Sequence, residues 1–221
     1  MKLFTPTLII ALAGVVLTPI SAPWAAPITT LFNTGVDASG TPLANDATEI
    51  HYSLVSVPAG GINDVRVANS NNGYPIPPWI GDNASSAWIG PNTSDLSDPE
   101  GAYDYQLTFS LSGYVAATAS ISGKWSADNQ GTDIRINGAS TGSTAADFAS
   151  FYTFAITGGF VDGLNTLDFL VVNTPGYADN PTGLRVEMTG SADPVSTPEP
   201  TSLAILGVGL FGLRMFRRKQ A

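Results

Sequence analysis

The chain has 221 residues, no Cys, a single His and a formal net charge of −9. Without Cys, disulfides, thiolate catalysis and Cys-based zinc sites are excluded together, and one His does not make a His-based zinc site. Between Pro27 and Ser196 lie four cationic side chains (Arg66, Lys124, Arg135, Arg185) and 17 carboxylates, a net of −13 that repels phosphate backbones, so cations or neutral glycans are expected as partners and no nucleic acid is.

The N-terminus reads as a secretory signal over residues 1–25. Met1-Lys2 supplies a short positive region, Leu8 to Leu17 is an uninterrupted apolar core, and Pro19 ends the helix ahead of small residues. A buried N-terminal helix is the alternative, but the run has no polar face. Cleavage is expected between Ala22 and Ala26, which sends the chain across the inner membrane.

Residues 26–190 read as one all-β domain. The 23 Gly and 16 Pro are spread between short alternating segments, with no amphipathic helix and no internal repeat. Strands are predicted over 49–57, 103–113, 116–125, 133–138, 150–156, 165–173 and 183–188. In the second of these, Tyr105, Leu107, Phe109 and Leu111 share one face, with Gln106, Thr108 and Ser110 on the other. Short strands with one apolar face, spaced by turn residues, predict a two-sheet antiparallel β-sandwich of jelly-roll type. A signal helix is expected before it and a hydrophobic helix after it.

The longest stretch without strand character runs from Asn69 to Asn92 and sets Tyr74, Trp79 and Trp88 among Asn, Asp, Gly and Pro. Aromatic faces stack on the C–H faces of sugars while amides and carboxylates bond hydroxyls, so these three residues are a candidate glycan platform. A long loop over a sandwich also needs aromatic plugs, and both readings stand at this point. Trp125, at a strand end, reads as core.

Acidic residues gather in two places, Asp98, Glu100 and Asp104 in one and Asp128 and Asp133 in the other. Solvated acidic loops, a structural calcium site built from hard oxygen ligands, and a pair of glycosidase carboxylates all fit that composition. Gly138-Ala139-Ser140-Thr141-Gly142 spells the G-x-S-x-G nucleophile elbow, which requires a strand-to-helix turn and a later His. His51 precedes Ser140, so a hairpin loop is the reading taken, with His51 a surface or packing residue.

Residues 191–197 (SADPVST) read as a linker. In 198–221, Pro198-Glu199-Pro200 is followed by thirteen uncharged residues, Thr201 to Leu213, and then by Arg217-Arg218-Lys219. A helix of thirteen residues reaches about 20 Å, short of a ~30 Å hydrocarbon core, with Met215 and Phe216 extending it past a snorkelling Arg214. These residues resemble the PEP-CTERM sorting tail. The resemblance implies a transient membrane anchor, recognised and removed by an exosortase-type protease in a bacterium that makes an exopolysaccharide matrix.

The succession from Tyr103 to Met188, with Asn137-Gly138 closing one strand and Gly163-Leu164-Asn165-Thr166-Leu167 opening another, resembles the galactose-binding-like jelly roll of carbohydrate-binding modules. Together the two resemblances imply an exported, envelope-sorted, non-catalytic protein. It is expected to be a biofilm-matrix component, structural or bound to extracellular polysaccharide, with no cofactor beyond a structural calcium. The alternative is a glycosidase-like enzyme using two of the acidic residues.

Overall fold

The computed structural model describes residues 24–91, 97–176 and 180–196. The predicted signal helix and C-terminal hydrophobic helix lie outside those residues. Among the described residues no helix is long and apolar enough to cross a membrane.

Two antiparallel sheets stack as a sandwich. One contains β3 (Arg66–Ala68), β4 (Trp88–Gly90), β11 (Gly183–Ala192), β6 (Ser120–Asp128) and β9 (Tyr152–Ile156) in that order, with β1 (Ala26–Pro27) added on β11. The other runs β2 (Tyr52–Ser56), β5 (Gly101–Ser110), β10 (Leu164–Asn173), β7 (Gln130–Ile136), β8 (Ala139–Ser140). The strand period of two explains the core. Tyr103, Tyr105, Leu107 and Phe109 of β5 and Leu167, Phe169 and Val171 of β10 are buried against Ile121, Trp125, Leu184 and Val186 of the facing sheet. Trp125 sits at the centre, 5.7 Å from the Phe169 ring. A Cβ at Gly131 would stand 2.3 Å from its indole, so only Gly lets β7 approach that ring.

The turn chemistry sits where the sequence places it. Asn137 and Gly138 adopt φ of 50° and 80° between β7 and β8, both in the left-handed region that such a two-residue hairpin requires. The Asn137 amide donates to Asn165 Oδ1 at 2.8 Å, tying that turn to the start of β10. The elbow-like run is this hairpin, and Ser140 donates to Asp133 rather than facing a base (2.9 Å). His51 packs flat on Phe32, ring centroids 3.6 Å apart.

The two outer faces differ. Residues 69–87 lie over the outside of the six-stranded sheet, pinned by Arg185 of β11, before the chain joins that sheet as β4. The outside of the five-stranded sheet instead presents a polar row in register, Ser53, Gln106, Asp168, Arg135 and Ser140.

The described chain enters and leaves the sandwich at the same place. Ala26 pairs with Ala192, Tyr114 bridges Pro194, and Val195 N–H donates to the Gly113 carbonyl at 2.8 Å. Residues 191–195, expected as linker, are therefore sheet and edge bridge. Their polar, aperiodic composition suits an edge that pairs with only two residues of β1. β11 has 10 residues and spans about 30 Å, so its first residue, Gly183, opposite Asp128, lies a strand's length from the chain ends.

Candidate functional site

At that far end, the loop over 69–87, the β6–β7 turn and the β10–β11 connection converge. Trp79 and Trp88 pack on each other with centroids 4.4 Å apart, and Ile76 completes their cluster. Trp79 is 4% exposed and Trp88 0%. The Trp88 indole N–H donates to the Ile80 carbonyl at 3.0 Å. Trp79 donates to Asp128 Oδ2 at 2.7 Å and covers Gly183, where a Cβ would stand 2.6 Å from its ring. Their burial supports the plug reading and leaves neither indole face open to a sugar. The physical reason is that the outside of the six-stranded sheet carries Gly183 and the Arg185 stem, and two large rings fill the space above them. Tyr74 is 45% exposed on the same loop.

Arg185 holds the loop. Its fully buried guanidinium donates to Ser86 Oγ (2.8 Å) and to the carbonyls of Ile80 (3.1 Å), Gly81 (2.7 Å) and Ser86 (3.2 Å). Glu187, 3.8 Å away, balances its charge and accepts from Asn83 and Ser86.

The acidic residues regroup. Asp98, expected beside Glu100 and Asp104, keeps Glu100 as a neighbour but meets Asp128 in place of Asp104. Asp98 and Asp128 are both buried. Asp98 Oδ2 accepts from Thr182 N–H (3.0 Å), while the Thr182 hydroxyl donates to the Asp128 carbonyl (2.5 Å). The Asn173 amide donates to the carbonyls of Asp98 (3.0 Å) and Asn180 (3.2 Å). Asp128 Oδ1 and Asn173 Oδ1 are buried and make no hydrogen bond among the described residues. Burial pushes the Asp128 carboxyl up to about 7, with the Trp79 hydrogen bond opposing and the nearby Asp98 charge adding to the rise. Glu100 accepts from Gly176 N–H at 3.0 Å, and Ser97, Asp98, Pro99, Glu100 and Asn180 line a hollow there.

Asp104 and Asp133 leave these groups because both lie in strands of the five-stranded sheet, each opposite Leu170. Asp133 sits 3.3 Å from Arg135. Burial, then the neighbouring Asp168, raise the Asp104 carboxyl to about 6 against the pull of Arg135. Gln106 donates to Asp168 at 2.7 Å. Among the described residues, no three His, Cys, Asp or Glu side chains gather as a metal-binding group. The five candidate calcium ligands therefore form no single cage.

Sequence reasoning missed Arg185, Asn173, Thr182 and Asp168. Arg185 carried a usable signal, as a cation inside a strand pattern in a strongly acidic region. The others carried none, since polar residues at strand positions (Asn173, Asp168) or in a connection (Thr182) read as solvent-facing.

Residues 196–219 match the PEP-CTERM protein-sorting motif. The chain carries that sorting tail, which marks it for export and for sorting to the cell envelope or extracellular space through exosortase. Among curated proteins the chain finds no match. Solved structures similar to it include the following three. The CBM36-1 domain of a multidomain xylanase from the hindgut metagenome of Trinervitermes trinervoides is 11% identical, with a TM-score of 0.32, covering 53% of this chain and 86% of that one. The CBM35 of Paenibacillus barcinonensis is 14% identical, TM-score 0.36, covering 66% and 98%. The Podospora anserina GH26-CBM35 β-(1,4)-mannanase is 12% identical, TM-score 0.34, covering 80% and 29%.

Proposed function

We propose that the protein is an exported, non-catalytic component of an extracellular polysaccharide matrix, with its glycan-facing surface at the end remote from the chain termini. The observation that carries this reading is the sorting tail joined to a sandwich whose Tyr74 loop and acid-lined hollow lie a strand's length from Ala192, at the end of β11. A domain tethered by its tail then offers that end to the matrix. Tyr74 supplies the stacking face, and exposed Asp82 and Asn83 with the hollow's Glu100 supply groups for sugar hydroxyls. The test sets adsorption of residues 26–196 to polysaccharide purified from the host beside hydrolysis of the same material. Retention of the polysaccharide without release of reducing ends, weakened by Tyr74→Ala at unchanged melting temperature, is the expected result. Hydrolysis abolished by replacing an acidic residue would make the protein a glycosidase instead.

The Asp98–Asp128 pair is proposed as a cation-responsive brace beneath this surface. Burial favours a proton on Asp128, and Asp128 Oδ1 and Asn173 Oδ1, buried and without a hydrogen bond among the described residues, are the hard oxygens that calcium would use. The sign follows from the raised Asp128 carboxyl. Folding favours its protonated form, so that stabilisation is complete below about pH 4, the unfolded value, and is lost as pH rises through about 7. Melting in chelator should fall from pH 5 to pH 8, more steeply than in Asp128→Asn, while Asp104 adds a smaller trend of the same sign. Millimolar calcium should restore the loss at pH 8 in a concentration-dependent way. Equal melting in chelator and calcium at pH 8 removes the calcium reading.

A further inference from the structure

Where the chain enters and leaves the sandwich, the turns carry five of the nine exposed large hydrophobic side chains among the described residues: Trp24, Val115, Val161, Leu164 and Val195. The pairings bring them together. Leu164 is opposite Ser110, and Leu111 N–H donates to the Gly163 carbonyl at 2.8 Å. Val115 N–H bonds the Asp193 carbonyl at 2.8 Å, Val195 N–H bonds that of Gly113, and Trp24 stands two residues before the Ala26–Ala192 pair. Trp24 is 91% exposed and Leu164 70%. Scattered apolar side chains are ordinary on a surface, but a gathered set marks contact with something.

The sequence says what that something is. From Ser196 to Thr201 there are five Cα steps, which reach at most about 18 Å when fully extended. The uncharged apolar run Thr201 to Leu213 therefore begins within that distance of Ser196, the residue after Val195. We propose that this end of the sandwich is a lipid-docking face, seated on a zwitterionic bilayer surface for as long as the tail is attached. The aliphatic residues Val115, Val161, Leu164 and Val195 meet the acyl boundary, and Trp24, inside the signal read over residues 1–25, takes no part once a signal ending at Ala25 is cleaved. The turns over 110–118, 160–164 and 190–196 contain no Lys or Arg but include Asp162 and Asp193, so the contact is apolar and not an attraction to anionic lipid. The inference rests on the tail being a membrane anchor.

Because the chain has no Cys, Val115→Cys, Leu164→Cys and Pro175→Cys each create one attachment point for an environment-sensitive fluorophore. All three positions are exposed, and Pro175 follows β10 at the opposite end of the sandwich. The full chain is reconstituted into phosphatidylcholine vesicles and floated on a density gradient, then read with a spin-labelled lipid as quencher. The expected result is co-flotation, with quenching at positions 115 and 164 several-fold stronger than at 175 and unchanged in high salt. Failure to float would refute the anchor and, with it, the docking face. Flotation with equal quenching at all three positions would keep the anchor and refute the docking face. Shielding at 164 that rises with protein concentration without lipid would assign the face to a second copy and overturn the lipid assignment.

Discussion

Trp88→Ala should lower the stability of the domain by about 3–5 kcal/mol, read as a drop in melting temperature or denaturant midpoint. The ring is fully buried, lies 4.4 Å from Trp79 and bonds the Ile80 carbonyl. Truncation removes that packing and opens a cavity between the loop and β4. Trp79→Ala should cost a similar amount, with a further consequence: Asp128 loses its donor, so its carboxyl rises further. Trp125→Ala serves as the comparison for a ring in the central core. If Trp79→Ala and Trp88→Ala melt like the parent while polysaccharide adsorption falls, the rings face ligand and their role as plugs is wrong.

Arg185→Met is the second large effect. Four hydrogen bonds from one guanidinium hold Ile80, Gly81 and Ser86 against the six-stranded sheet, and Glu187 lies beside it. Removing one partner of a buried charged network costs about 3–5 kcal/mol, because the remaining carboxylate and carbonyls stay desolvated. Arg185→Lys should rescue little of this, since an ammonium does not reproduce the planar fork that reaches both sides of the loop. Limited proteolysis separates local from global damage. Cleavage within 69–87 at temperatures where the core still melts cooperatively is the expected pattern. Uniform protection in Arg185→Met would show that the aromatic pair alone holds the loop.

The fold was legible where one sheet face is buried. In β5 the alternation of large apolar and polar residues survives intact, β10 keeps it only to Phe169 before the apolar run Leu170-Val171-Val172, and Asn137-Gly138 and Gly163 mark turns by backbone conformation alone. It was not legible where pairing is short or covered on both sides. β1, β3, β4 and β8 have two or three residues each, too few for a period. β4 (Trp88-Ile89-Gly90) is buried on both faces and so shows no alternation. The candidate site was half legible. The sequence brought forward Tyr74, Trp79, Trp88, Asp98 and Asp128, but it could not pair Asp98 with Asp128 across thirty positions. That meeting depends on β11 lying beside β6, which placed Thr182 between the Asp98 carboxylate and the Asp128 backbone carbonyl.

The central claim is that the tail is an address that delivers a folded domain to the outside and is then removed. Intact-mass measurement of the chain recovered from the extracellular matrix of its native host tests it most directly. The account predicts a species lacking the N-terminal signal up to a point between Ala22 and Ala26 and lacking the apolar tail that follows Pro198-Glu199-Pro200. A mature chain that stays with the cells and still contains Phe211 to Lys219 would contradict it.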